Sequence, residues 1–129
     1  LNGYGMECRI LAEDPWNQFM PSPGKINFVH FPAGFGVRVD SDLYSGCTTS
    51  PYYDSMIAKV IVHGKTRLEA IRRMRRALEE LTIEGITTNT EFMHLLLHHP
   101  AFMKGSYRTS FWDDYSKEIL EWSQSEGGQ

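Results

Sequence analysis

The hydrophobic period of this chain changes once, between Gly64 and Thr66, and that change restricts the folds open to it. Upstream, apolar residues recur at every second position in short runs broken by proline and glycine, as in half-buried strands. Downstream they recur at every third or fourth position, as in helices packed on one face. Tyr4, Met6, Cys8, Ile10 and Ala12 alternate with Glu7, Arg9, Leu11 and Glu13, which predicts a strand from Tyr4 to Glu13 with one polar face, stopped by Asp14-Pro15. Pro21-Ser22-Pro23-Gly24 predicts a turn, and Lys25 to Phe31 a second strand that Pro32-Ala33-Gly34 breaks. Gly36 to Asp40 reads as a third strand, Ser45-Gly46 through Pro51 as a loop, and the Ile- and Val-rich run from Met56 to His63 as a fourth strand.

Past the switch, Thr66-x-x-Glu69 is a capping box, and Leu68, Ile71, Met74, Leu78 and Leu81 follow at helical spacing. Thr88-x-x-Glu91 repeats the start signal ahead of Phe92, Leu95 and Leu96, and His99-Pro100 closes that helix. A third helix is expected from Ser110 to Trp122, with Phe111, Trp112, Tyr115, Ile119 and Trp122 as its apolar set. Strands followed by helices predict an α+β domain, an antiparallel sheet of short strands covered on one face by about three helices. The domain is expected to span 1–122, with a polar, fraying tail over 123–129.

The 129 residues suffice for one hydrophobic core and are few for a nucleotide-dependent enzyme with its own substrate domain. With 41% hydrophobic and 22% charged residues the balance is that of a globular chain, and no apolar run has membrane-spanning length. A net charge of −3 supplies no basic field for nucleic acid. Cys8 and Cys47 form no C-x-x-C pair, which suits a reducing cytoplasm and argues against a disulfide scaffold or zinc site. The opening residues Leu1-Asn2-Gly3-Tyr4 carry no initiator Met and no signal pattern, so a fragment of a longer chain is expected.

Gly34-Phe35-Gly36 lacks the third glycine, or the Lys-Ser/Thr, of a phosphate cradle, and reads as a tight turn between two strands. Phe35 is then either an exposed tip beside Arg38, fit for a partner contact, or a side chain folded back into the core. His94 and His98 have the spacing that lets two imidazoles meet one metal, without the companion residues of a zinc protease; a partly exposed pair at a helix end is the plainer reading. Arg72, Arg73, Arg75 and Arg76 read as solvated helix positions beside Glu69, Glu79 and Glu80. The informative constellation is Glu7-x-Arg9, with Glu13 on the same predicted face. A guanidinium held by carboxylates is a fixed, always-charged fork suited to an anion or to charge developing on a carbonyl oxygen. Asp54 is a candidate partner from a neighbouring strand. The alternative is an ordinary cross-strand ion pair.

These residues lie in a longer pattern. Glu7-Cys8-Arg9-Ile10-x-Ala12-Glu13-Asp14-Pro15, Pro21-Ser22-Pro23-Gly24-Lys25-Ile26, Gly34-Phe35-Gly36-Val37-Arg38 and Pro51-Tyr52-Tyr53-Asp54-Ser55-Met56-Ile57-x-Lys59 together resemble the C-terminal region of biotin carboxylase. Ala70-Ile71-x-x-Met74-x-x-Ala77-Leu78 and Gly85-Ile86-x-Thr88-Asn89 continue the likeness, which runs from Gly3 to Leu96 and fades beyond Phe102. Pro15 to Phe19 is one residue longer than the common family pattern.

The resemblance implies a parent ATP-grasp ligase, cytoplasmic, that activates bicarbonate with ATP and Mg2+ or Mn2+ and passes the carboxyl group to N1′ of biotin. Acetyl-CoA carboxylase is the first expectation for the parent. The implied partners are a biotin carboxyl carrier protein or domain, a carboxyltransferase, the missing N-terminal part of the same chain and a second copy in a homodimer; nucleic acid and membrane are not implied. Arg9 matches the family arginine over the biotin ureido oxygen, where it would stabilise negative charge. Asp54 and Glu7 would support it, and Phe35 and Arg38 match positions at the dimer contact. The family's ATP lid, nucleotide-binding lysines and metal-binding glutamates belong upstream, so this chain alone is expected to be inactive and to hold no cofactor. Thr109 and Ser110 fall near the family's return to the adenine pocket. The alternative is a non-catalytic packing or dimerisation module of a pyruvate, propionyl-CoA or urea carboxylase.

Overall fold

The computed structural model describes residues 3–50 and 55–99. Among these residues, nine strands and two α-helices follow in the order β1 (Tyr4–Leu11), β2 (Glu13–Asp14), β3 (Met20–Pro21), β4 (Gly24–Lys25), β5 (Phe28–His30), β6 (Val37–Asp40), β7 (Thr48–Thr49), β8 (Met56–Gly64), α1 (Arg67–Glu80), β9 (Thr82–Glu84) and α2 (Thr90–Leu96). The organising sheet is β1-β8-β6, antiparallel throughout, and the other strands form two-stranded ladders β2-β3, β4-β7 and β5-β9.

The sheet buries one face because its alternation agrees across all three strands. Cys8 stands opposite Val60 and Val60 opposite Val39; Met6 stands opposite Val62 and Val62 opposite Val37. That face packs against Ile71, Met74 and Leu78 of α1 and Phe92 and Leu96 of α2 in one core. Phe92 is fully buried and receives the edges of Trp16 and Phe19, with ring centroids 6.1 and 5.7 Å away. Such edge-to-face contacts add to the burial of the ring itself.

Helix α1 starts where the capping box predicts. Thr66 is the N-cap, and its Oγ1 accepts from the Glu69 N–H at 3.1 Å. The Glu69 carboxylate takes Arg73 as its partner at 3.1 Å, one turn on. Leu68 is exposed, because the apolar stripe runs through Ala70, Ile71, Met74, Ala77 and Leu78 and leaves it outside. Arg72 and Arg76 are exposed as expected, but Arg73 and Arg75 are half-buried: Arg73 also donates to the His63 carbonyl, and Arg75 donates through Nη2 to the Leu97 carbonyl at 2.7 Å, tying α1 to the end of α2.

Three further expectations change. The first strand ends early: its register with β8 shifts between Ile10 and Leu11, and the chain then forms β2, whose Glu13 pairs with Pro21. The run from Lys25 to Phe31 splits into β4 and β5, which pair with different partners. β9 lies where only a helix-to-helix connection was predicted, and pairs with β5. The expected third helix and tail lie outside the described residues. Among the described residues no helix is long and apolar enough to cross a membrane.

Candidate functional site

Opposite the core, the same sheet presents a charged face. Arg9 on β1 stands opposite Lys59 on β8, which stands opposite Asp40 on β6; in the next row Glu7 stands opposite Ile61, and Ile61 opposite Arg38. Residues two apart on a strand share a face, so each outer strand carries its own ion pair. Arg9 Nε donates to Glu7 Oε1 at 3.1 Å, with side chains 69% and 42% exposed. Arg38 donates to Asp40 through Nη2 at 2.9 Å and Nε at 3.2 Å. The hydrogen bonds from Arg38 hold the Asp40 carboxyl below its ordinary range, with the charges of Arg38 and Lys59 acting in the same sense.

In this arrangement Glu7 takes Nε of Arg9, and neither Nη group has a hydrogen bond among the described residues. Lys59 adds a second positive charge opposite. Two cations directly across a ladder repel unless counter-charges intervene, and Glu7 and Asp40 flank them here. The result is an exposed guanidinium oriented through Nε, with both Nη groups unbonded among the described residues.

The backbone that carries Arg9 is clamped from α2. Asn89 is 4% exposed. Its Oδ1 accepts from the Leu11 N–H at 2.8 Å, and its Nδ2 donates to the Arg9 carbonyl at 3.1 Å. Its own N–H donates to the Leu11 carbonyl at 3.1 Å. Asn89 occupies the N-cap of α2 yet makes no side-chain cap bond; Thr88 Oγ1 accepts from the Thr90 N–H at 3.3 Å instead. The start signal at Thr88 is therefore displaced by one residue, because the asparagine amide is engaged on β1.

The remaining predicted residues are dispersed. Glu13 leaves the Arg9 face, and its Oε1 accepts from Ser55 Oγ at 3.0 Å. Asp54 lies outside the described residues. Phe35 is 91% exposed, so it does not fold back into the core, and the Arg73 guanidinium sits 5.7 Å from its ring centroid. Its loop is not a hairpin, since β5 pairs with β9 and β6 with β8. Gly36, at φ +74°, is required there: a side chain would strike the His63 carbonyl and Arg73. His94 pairs through Nε2 with Glu79 Oε1 at 3.0 Å, and His98 Nδ1 lies 2.9 Å from the His94 carbonyl. Beyond the register shift at Ile10 and Leu11, a cleft of about 480 Å3 is lined by residues such as Ala12, Ser22, Tyr44, Thr49 and Ser55, and none of its lining side chains among the described residues is basic.

The model of the biotin carboxylase C-terminal domain matches residues 7–114, which include every residue of the charged face. The chain belongs to the biotin carboxylase C-terminal domain family. It is 56% identical over 113 residues to biotin carboxylase 1 of Bacillus subtilis, covering 88% of this chain and 25% of that one. It is 46% identical over 119 residues to a pyruvate carboxylase subunit from Methanothermobacter thermautotrophicus, covering 92% and 24%. Among solved structures, a Campylobacter jejuni biotin carboxylase in complex with βγ-ATP superposes with a TM-score of 0.84 at 43% identity, covering 88% of this chain and 25% of that one. The biotin carboxylase domain dimer of Hydrogenobacter thermophilus 2-oxoglutarate carboxylase, in complex with MgADP, ADP and bicarbonate, gives 0.88 at 38%, covering 93% and 26%. The chain thus spans about a quarter of the length of these biotin carboxylase relatives.

The structure pairs Glu7 with Arg9 as the sequence suggested, and places beside them Asn89 and Lys59, which the sequence did not single out. Both stand within the motifs that carry the resemblance, but their relation to Arg9 depends on strand register and on a contact between residues 80 apart.

Proposed function

We propose that this chain is the biotin-facing part of an ATP-dependent biotin carboxylase, which carboxylates N1′ of carrier-linked biotin with bicarbonate. The observation that carries this reading is the exposed Arg9 guanidinium, held through Nε by Glu7 with no Nη hydrogen bond among the described residues, in a chain of this family. Such a fork meets negative charge on a carbonyl-type oxygen better than it meets the neutral group, which is the condition for lowering a barrier. Glu7 keeps the fork planar to its target, and Lys59 raises the local positive potential. Asp54, adjacent in sequence to Ser55 on the approach to β8, is proposed as a further carboxylate support for Arg9.

Biotin, when bound, supplies the ureido nitrogen that receives the carboxyl group. ATP and its Mg2+ or Mn2+ are assigned to the rest of the parent enzyme; among the described residues the cleft beyond β1 has no basic lining to receive phosphate. Phe35 and Arg38 are proposed as part of a homodimer contact, in line with the dimer of the Hydrogenobacter thermophilus domain. A biotin carrier and a carboxyltransferase complete the reaction, in the cytoplasm. Acetyl-CoA is the favoured acceptor. Pyruvate is the runner-up, because the Methanothermobacter thermautotrophicus pyruvate carboxylase subunit is 46% identical to this chain.

The test is a chimera in which this chain replaces the matching quarter of the Bacillus subtilis relative. We expect bicarbonate-dependent ATP hydrolysis and carboxylation of free biotin, with Arg9→Ala costing about a hundredfold in the biotin-dependent rate. A folded chimera without activity, or one indifferent to Arg9→Ala, overturns the reading.

A further inference from the structure

We infer that Asn89 is a positioning residue for Arg9: it sets where the guanidinium stands by fixing the β1 backbone at the bulge. The inference rests on the reading of Arg9 given above. One residue past Arg9, between Ile10 and Leu11, the register of the β1-β8 ladder shifts: Ile10 pairs with Ala58, Leu11 with Met56, and Ile57 of β8 is passed over. Asn89 spans that shift. One side-chain amide accepts from Leu11 N–H and donates to the Arg9 carbonyl, and the Asn89 backbone N–H donates to the Leu11 carbonyl.

An amide is suited to this work because it offers an acceptor and a donor on one rigid plane, matching the antiparallel presentation of a neighbouring strand. Asn89 in effect stands in for a neighbouring-strand residue beside the shifted register. It does so at the expense of its own cap bond to α2, which Thr88 supplies. The anchor itself is stiff: α2 is fastened to the core by the buried Phe92 and Leu96 and to α1 through the bonds from Arg75 to Leu97. Small displacements of a group that meets developing charge are costly in rate, so the stiffness of this link bears on chemistry as well as on stability.

A double-mutant cycle in the active chimera separates positioning from mere support. With Arg9 present, Asn89→Ala is expected to lower kcat for biotin carboxylation by about tenfold to a hundredfold, with a smaller change in KM for biotin. In the Arg9→Ala background the same substitution is expected to change kcat less than twofold, while the melting temperature falls equally in both backgrounds. Losses in kcat that multiply across the two substitutions overturn the inference, as does an Asn89→Ala enzyme with unaltered kcat. Should Asn89→Ala fail to fold, Asn89→Asp is put through the same cycle. Its carboxylate keeps the acceptor for Leu11 and lacks the donor for Arg9, so the same dependence on Arg9 is required of it. Indifference of the chimera to Arg9→Ala alone is a distinct outcome that removes the functional reading first.

Discussion

Asn89 Nδ2 donates to the carbonyl oxygen of Arg9 at 3.1 Å, joining residues 80 apart in the chain. With the bond from Leu11 N–H to Oδ1, it makes α2 a brace for the strand that presents the guanidinium. Asn89→Ala leaves a part-buried N–H and C=O without these partners, and a buried group deprived of its partner costs about 1–3 kcal/mol. A urea melt should therefore show a lower midpoint with an unchanged slope, and Thr88→Ala should cost less, because it removes only local bonds to Thr90, at its N–H and its hydroxyl.

At Arg9 the geometry of the fork matters beyond its charge. Lysine keeps the charge and loses both the planar pair of Nη donors and the Nε bond to Glu7. Arg9→Lys should recover only a small part of the roughly hundredfold loss expected of Arg9→Ala. Glu7→Gln should fall between Arg9→Lys and the unaltered chain, measured as biotin carboxylation in the chimera.

Cys8 supplies a pH-dependent prediction. Burial in the core, with the Glu7 charge contributing less, pushes its thiol up to about 12. The folded value lies above the unfolded one, so its contribution to stability is complete below the ordinary thiol range and is lost as pH rises through about 12. At pH 8 iodoacetamide should label the half-buried Cys47 alone in the native chain, and both cysteines after denaturation, as read by mass spectrometry. Native labelling of Cys8 at a rate matching Cys47 would contradict this.

Gly85 turns the chain from β9 toward Asn89 with φ +114°, and a side chain there would fall on the Lys25 carbonyl and the Asn27 N–H. Gly85→Ala combines backbone strain with that collision and should cost about 2 kcal/mol or more, visible in thermal melting.

Phe35 makes the opposite prediction. It is 91% exposed, with the Arg73 guanidinium beside its ring. Phe35→Ala should leave the chimera's stability within about 0.5 kcal/mol, while sedimentation should show weaker self-association. A monomer–dimer balance identical to that of the unaltered chimera would remove Phe35 from the contact.

Much of this was legible in the chain itself. The alternation of Met6, Cys8 and Ile10 and the capping box at Thr66 report local preferences that neighbouring residues settle among themselves, and both appear in the structure with shifts of a residue or two at element ends. Glu7-x-Arg9 was likewise readable as a pair, because two residues apart on any strand means one face. The split of Lys25 to Phe31 into β4 and β5 was not readable, since its halves are divided by the partners they find, β7 and β9, and not by their own composition.

The sequence by itself determined the α+β order, the alternating faces, the cap of α1, the family and the Glu7–Arg9 pair on one face. Tertiary structure alone decided that Lys59 stands beside Arg9, that Phe35 lies outside the core, that Glu13 turns away to Ser55, and that an asparagine at a helix start gives its amide to a strand. The division has a physical cause. Periodicity and capping depend on residues a few positions apart, whereas register, bulges and buried amide bonds depend on which distant segments meet, and only the assembled core selects those partners.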